Sequence, residues 1–194
     1  HDFIVPDDKK ALVNDRLGIP APGYYSFFHK GWRFVMLNGN EISTFSVPEG
    51  SEEHKLYAAF QDQMVAEGRE SALYYNGTLS ETQMSWFRQE LEAAEASQEH
   101  VLICCHYPTY PEDTYNLWHS REVVEGIGQF SCVRAYFNGH RHAGGYAQYK
   151  GCHYLTFLSV LDVPELTAWS MVEVFEDRLE VKGFGKEEDR TLRY

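Results

Sequence analysis

The stretch that most constrains the fold is residues 132–146, where an apolar run meets two histidines. Residues 132–137 predict a buried strand, which the Asn138-Gly139 pair ends. His140 and His142 follow, and at this spacing two side chains of an extended chain share a face. The glycine before His140 lets the backbone turn, so both imidazoles can face one centre. Because neutral imidazole is the commonest side-chain metal ligand, this strand end predicts a metal site.

A second stretch has the same form. Residues 101–105 are an apolar, strand-like run that ends in His106, and Pro108 stops the strand. One histidine at a strand end is usually an ordinary core or surface residue. Two such strand ends, one of them carrying a His-x-His pair, favour a metal site. His106, His140 and His142 are therefore the predicted metal ligands.

The composition fits a single globular domain. The chain has 194 residues, of which 43% are hydrophobic, enough to bury a core. Acidic residues outnumber basic ones by 29 to 17, a net charge of −12, which argues against nucleic acid or an anionic membrane as partner. A small anionic substrate remains compatible with this charge, because a bound metal ion can reverse the local field.

The cysteines indicate a reducing compartment. No CxxC pair occurs, and the adjacent Cys104 and Cys105 should point to opposite faces of a strand. We therefore expect reduced core thiols and a cytoplasmic protein. No apolar run approaches the length of a transmembrane helix.

Helices and strands alternate in the pattern typical of an α/β fold. Periodicity and turn signals predict helices over residues 7–17, 52–67, 81–96 and 120–126. The second of the long helices begins with a Ser80-x-x-Gln83 capping box. Strands are predicted over residues 24–28, 32–37, 101–105, 132–137, 145–149, 153–158, 169–175 and 179–184.

Several other residues are weaker site candidates. Tyr110 and Trp118 could stack on a nucleotide base, although aromatic residues in a loop over a sheet more often simply pack. Asn76 could contact substrate, but an Asn-Gly turn explains it adequately. Cys105 and His106 could form a nucleophile pair, yet neighbours on a strand point apart. The structural interpretation is preferred for the histidines His29, His54, His100 and His153. His119 stays an open candidate, because it lies in the aromatic loop after His106.

These motifs resemble those of a known family. The Gly139-His140-x-His142 element, His106 and the opening His1-Asp2 are similar to the later motifs of the calcineurin-like metallophosphoesterases. A longer series, spread over nearly the whole chain, resembles the manganese-dependent ADP-ribose/CDP-alcohol diphosphatases. It comprises Asn76-Gly77, Ser80-x-x-Gln83, Trp86, His106-Tyr107-Pro108, His142-x-Gly144-Gly145 and Lys182-Gly183-Phe184-Gly185.

The resemblance implies an αββα sandwich of two mixed sheets flanked by helices, in the α/β class. It implies hydrolysis of a phosphodiester or diphosphate bond in a nucleotide such as ADP-ribose or a CDP-alcohol. Two divalent metal ions, manganese first and iron, zinc or magnesium as alternatives, would activate the attacking hydroxide. His106 and His140 would bind one ion and His142 the other. His1 would be the catalytic histidine beside the metals, and Asp2 the acid that orients it.

The chain departs from the family at its beginning. The early motifs of the superfamily, Asp-x-His and Gly-Asp-x-x-Asp, have no counterpart, and no asparagine precedes His1. We therefore expect residues 1–194 to be the C-terminal portion of one metallophosphoesterase domain, without its first strands and inactive in this form. The alternative is a non-catalytic metal-binding or interaction domain in which three histidines hold one zinc ion.

Overall fold

The computed structural model describes residues 3–161 and 166–194. Its helices are α1 Asp7–Lys10, α2 Val13–Leu17, α3 Glu52–Ala66, α4 Glu81–Ala96 and α5 Ser120–Ile127. Its strands are β1 Tyr25–His29, β2 Trp32–Met36, β3 His100–Cys104, β4 Val133–Asn138, β5 Gly145–Tyr149, β6 Cys152–Thr156, β7 Ala168–Val174, β8 Arg178–Gly185 and β9 Arg190–Arg193. The predicted long helices and predicted strands are all confirmed, within a few residues at their ends.

A six-stranded sheet carries the site. Its order is β1-β2-β3-β4-β6-β5, with β2, β3, β4 and β6 parallel and the outer strands β1 and β5 antiparallel to their neighbours. Parallel neighbours need crossover connections, and α4 and α5 supply them before and after β3. The carboxyl ends of the parallel strands consequently meet at one edge of the sheet.

Helices α4 and α5 cover one face of this sheet. Phe87 and Leu91 of α4 and Ile127 of α5 pack with Val35 and Ile103 of the strands in one buried apolar cluster. Because both faces of the inner strands are covered, the strands are apolar along their length rather than alternating.

A three-stranded antiparallel sheet, β7-β8-β9, covers the other face. Leu179, Val181 and Leu192 from this sheet are buried together with Leu102 and Leu155 from the larger one. Two sheets packed face to face, with helices outside the larger sheet, confirm the predicted α/β class.

The cysteines behave as predicted within the fold. Cys104 packs on the side of the small sheet and Cys105 on the side of the helices, and all four cysteines are free thiols. Across residues 3–161 and 166–194, no helix combines the length and the apolar character that a membrane span requires.

The structure differs from the predicted elements near both ends. Residues 7–17 form two short helices rather than one, and the ammonium group of Lys10 donates to the carbonyls of Phe45 and Val47 at 2.8 and 2.9 Å where the first helix ends. Strand β9 was not predicted. Its only buried residue is Leu192, and one apolar side chain in four residues is too short a pattern to show alternation.

Only one of the two hydrogen bonds of the predicted capping box forms at the start of α4, and the Gln83 side chain instead joins this helix to the segment that follows β2. The Ser80 hydroxyl accepts from the Gln83 backbone N–H at 3.0 Å, as expected. The buried Gln83 amide, however, accepts from the Asn38 N–H at 2.8 Å, and Glu41 takes its place at the Ser80 N–H at 2.9 Å. The Gln83 side chain therefore makes a tertiary contact at the carboxyl edge of the sheet instead of capping its own helix.

Candidate metal centre

The predicted histidines lie where two parallel strands end. The backbone ladder between β3 and β4 continues past both strands, with Cys105 N–H donating to Phe137 O and Gly139 N–H donating to His106 O, each at 3.0 Å. This continuation brings His106 and His140 to adjacent positions at one edge of the sheet. In open α/β sheets, ligands bind at the carboxyl ends of the strands.

The turn that presents the histidines is made by His140 rather than by Gly139. His140 has φ +63°, the left-handed region that non-glycine residues rarely occupy, and Gly139 does not. A Cβ on Gly139 would meet only the His106 carbonyl oxygen, at 4.0 Å. Such a backbone costs on the order of 1–3 kcal/mol and is typical of functional sites.

His106 and His140 present nitrogens to each other. His140 Nδ1 lies 3.2 Å from His106 Nε2. His140 is 9% exposed, and burial, followed by electrostatic repulsion from the neighbouring His106, lowers its pKa to about 3. Neutral pH therefore leaves its imidazole uncharged, the form in which histidine binds a metal.

The separation of the two nitrogens fits one metal ion. A histidine nitrogen binds a divalent metal at about 2.1 Å, so two ligands at tetrahedral or octahedral angles lie roughly 3.0–3.4 Å apart. The observed 3.2 Å between His140 Nδ1 and His106 Nε2 falls in this interval. The predicted pairing of these two residues in one half of a metal site is compatible with this geometry.

His142 lies beside this pair on an exposed part of the turn, and its backbone carbonyl accepts from the Ser159 N–H at 3.1 Å. Among residues 3–161 and 166–194, no three or more His, Cys, Asp or Glu side chains form a group that could hold a metal ion. The single-zinc alternative stays a prediction. The assignment of His142 to a second ion stays a prediction.

Tyrosine rings enclose His140. The ring centroids of Tyr75, Tyr107 and Tyr115 lie 5.9, 4.6 and 5.8 Å from its imidazole. On the remaining side, His140 Nε2 lies 2.8 Å from Oδ1 of the fully buried Asn76. Asn76 was predicted to bind substrate, and its amide instead contacts a predicted metal ligand. Substrate contact by Asn76 stays a prediction.

The two aromatic candidates are both packed. Trp118 has no exposed surface, and its indole N–H donates to Leu73 O at 3.1 Å. A fully buried ring cannot stack on a base, so in this structure Trp118 takes the packing role that was the alternative. Tyr110 stacks against Tyr149 at 5.1 Å and lies 5.3 Å from the Tyr154 ring, beside the helix-side core. Base stacking by Tyr110 stays a prediction.

The remaining candidates either have surroundings that bear on their proposed roles or lie outside the described residues. Burial raises the pKa of the Cys105 thiol, which disfavours the thiolate that a Cys-His nucleophile needs. His119 hydrogen-bonds the Thr78 hydroxyl through Nδ1. His1 and Asp2, the predicted catalytic pair, lie outside the described residues, and their roles stay predictions.

Sequence reasoning missed an ion pair next to the histidines. Arg141, between His140 and His142, forms an ion pair with Asp113 at 3.1 Å and donates to the Gly144 carbonyl. Asp113 belongs to the segment after His106, so the pair holds this segment against the histidine turn. No spacing rule links positions 28 residues apart in an irregular segment, and the sequence carried no signal of the contact.

Comparison with known proteins yields relatives in one group. No family model matches the chain. The manganese-dependent ADP-ribose/CDP-alcohol diphosphatase of Xenopus laevis is 31% identical over 189 residues, which is 88% of this chain and 52% of that protein. The human protein of the same name is 27% identical over 201 residues, 94% of this chain and 58% of its own length. The chain thus spans about half the length of these curated relatives.

A solved structure shares the fold. The crystal structure of a dimetal phosphatase from Danio rerio superposes with a TM-score of 0.80 at 26% identity, covering 97% of this chain and 64% of that one. The two-sheet arrangement described above is therefore that of a dimetal phosphatase.

Proposed function

Since the resemblance to the manganese-dependent ADP-ribose/CDP-alcohol diphosphatases is confirmed, we propose that this protein is a metal-dependent hydrolase. Its proposed substrate is a small nucleotide with a diphosphate or phosphodiester bond, such as ADP-ribose or a CDP-alcohol. One observation carries the proposal: His106 Nε2 and His140 Nδ1 lie 3.2 Å apart at the carboxyl ends of adjacent parallel strands. That position and spacing suit a metal ion at a ligand-binding edge.

We assign His106 and His140 to one divalent metal ion and His142 to a second, with manganese as the first choice. When bound, such a pair of ions supplies charge stabilisation for the phosphoryl oxygens and a hydroxide nucleophile at neutral pH. The task of the histidines is to offer uncharged nitrogens in fixed directions. Burial keeps His140 uncharged, and the surrounding tyrosine rings limit its rotation.

We further propose that His1 and Asp2 complete the reaction. His1 would donate a proton to the leaving group or stabilise charge on the phosphoryl group, and Asp2 would orient its imidazole. The support for this pair is the family resemblance of the His-Asp motif alone.

The test uses the full-length gene product loaded with Mn²⁺. Hydrolysis of ADP-ribose and of a CDP-alcohol is measured by the release of nucleoside monophosphate. His106→Ala should lower kcat/KM by more than the roughly 100-fold that loss of an outer-shell partner costs, because it removes a ligand itself. The control is His29→Ala, which alters an exposed histidine at the end of β1 and should leave kcat/KM unchanged.

Two results would contradict the proposal. One is the absence of Mn²⁺-dependent hydrolysis of either nucleotide by the wild-type protein. The other is a His106→Ala protein whose kcat/KM and Mn²⁺ affinity both equal those of the wild type.

A further inference from the structure

The buried amide of Asn76 makes three hydrogen bonds. Its Nδ2 donates to the carbonyl of Ser71 and to the carbonyl of Thr114, each at 2.7 Å. Its Oδ1 lies 2.8 Å from His140 Nε2. The side chain has no exposed surface, so its hydrogen-bond partners in the described part of the chain are protein groups and not bulk water.

The two carbonyls determine which way the amide faces. A carbonyl oxygen only accepts hydrogen bonds, so both Ser71 O and Thr114 O must face the NH₂ group. Rotating the amide by half a turn would set its oxygen against two carbonyl oxygens. The orientation with Oδ1 toward His140 is therefore required by the network and not by the histidine.

This orientation selects the tautomer of His140. Because Oδ1 can only accept, the hydrogen of the contact must lie on His140 Nε2. A neutral imidazole has one N–H, so Nδ1 keeps its lone pair. That nitrogen faces His106 Nε2 at 3.2 Å.

We propose that Asn76 is a positioning residue of the metal site, which holds His140 in the Nε2–H tautomer and so makes Nδ1 the metal-binding nitrogen. The metal half of this inference rests on the proposed function, and the tautomer half does not. Histidine ligands in metalloproteins generally donate the other ring N–H to an oxygen acceptor, which fixes the ring and raises its basicity. Here the acceptor comes from a turn 64 residues away in sequence.

The chain offers a matched control in Asn116. It is also fully buried, and its Nδ2 also donates to two loop carbonyls, those of Thr109 and Pro111, at 3.0 and 2.9 Å. In the described part of the chain, Asn116 makes no hydrogen bond to a histidine. Replacing either asparagine by leucine removes two loop bonds, and only Asn76→Leu removes the acceptor of His140.

The first measurement is the tautomer of His140 in the metal-free protein, read from ¹H–¹⁵N correlations of the imidazole nitrogens. The wild-type and Asn116→Leu proteins should show the Nε2–H form alone. Asn76→Leu should show a mixture of tautomers. The second measurement is Mn²⁺ affinity by titration, which should weaken about 10- to 100-fold in Asn76→Leu and stay within about twofold in Asn116→Leu.

The outcomes separate the two ideas. The inference is overturned if Asn76→Leu keeps the Nε2–H tautomer with wild-type Mn²⁺ affinity, or if Asn116→Leu weakens affinity equally. Should Asn76→Leu fail to fold, the wild-type spectrum decides, because an Nδ1–H form of His140 overturns the inference and an Nε2–H form supports it. A wild-type protein that binds no Mn²⁺ overturns the proposed function and the metal half together, while the tautomer result still decides the role of Asn76.

Discussion

Both ends of the parallel strands carry a buried histidine, and the two differ in what their nitrogens face. His153, at the start of β6, is 3% exposed; its Nδ1 lies 2.8 Å from the Tyr146 hydroxyl and its Nε2 2.8 Å from the Arg193 carbonyl. His140, beyond the end of β4, is 9% exposed, and its Nδ1 faces the nitrogen of His106. Burial alone therefore does not distinguish a structural histidine from a candidate ligand. The group that each Nδ1 faces does distinguish them: a tyrosine hydroxyl for His153, and the nitrogen of another histidine for His140.

The same contrast extends to the other polar groups. At the amino ends of the strands, Arg33 forms ion pairs with Glu90 and Glu99 at 2.6 and 2.7 Å, which satisfies all three charges. At the carboxyl ends, both polar side-chain atoms of Asn138 are buried without a hydrogen-bond partner in the described part of the chain. Because unsatisfied buried polar groups cost stability, the ion pairs at the amino ends contribute more to packing than Asn138 does.

The largest effect expected from this comparison is on metal affinity. His140→Ala should weaken Mn²⁺ binding by more than about 100-fold, because it removes a proposed ligand rather than an outer-shell partner. His153→Ala should keep wild-type affinity, because His153 lies at the opposite end of the sheet from the proposed metal site. Titration of both variants with Mn²⁺ by electron paramagnetic resonance measures the difference. Equal losses in the two variants would break the comparison.

The next largest effect is on stability, and we expect it for the His153 variant, which should leave metal affinity unchanged. His153→Ala leaves the Arg193 carbonyl without its donor, which should lower the free energy of unfolding by about 1–3 kcal/mol. Tyr146→Phe should cost less than about 1 kcal/mol, because Tyr146 is 47% exposed and water can replace its hydroxyl contact to His153. Urea denaturation of the metal-free proteins gives both values, and a larger loss in Tyr146→Phe would contradict the assignment.

The smallest expected effect is on the stability of the fold at acidic pH. Hydrogen bonds from the side chains of Cys132 and Ser131, and from their backbone N–H groups, lower the pKa of Glu95 from an ordinary value near 4.5 to about 2. The unfolded chain therefore binds a proton at Glu95 before the folded one does. The stabilisation is complete above about pH 4.5 and is lost as the pH falls toward 2.

Glu95→Gln isolates this contribution. The difference in unfolding free energy between wild type and variant should shrink between pH 5 and pH 2.5, by less than about 1 kcal/mol because solvent screens the group. Parallel urea melts at these pH values measure it. If the difference in unfolding free energy grew toward low pH, the hydrogen bonds from Ser131 and Cys132 to the Glu95 carboxylate would not be the source of its stabilisation.

Local patterns determined much of this protein. The apolar periodicity of residues 81–96 predicted α4, because one face of that helix is buried. The continuous apolar run of residues 132–137 predicted β4, because both faces of an inner strand are buried. The strand-ending His106 and the His140-x-His142 pair could likewise be identified as candidate ligands, since residues that follow adjacent parallel strands meet at one sheet edge.

The tertiary structure alone decided which groups surround those histidines. Asn76 and His140 are 64 residues apart, and their hydrogen bond depends on how a turn packs over the sheet. Trp118 looked available for a nucleotide base and is enclosed beside Phe60 and Met64 of α3. Sequence patterns carry the local periodicity of burial, whereas the direction of each hydrogen bond and the closure of each cavity arise only when distant segments pack together.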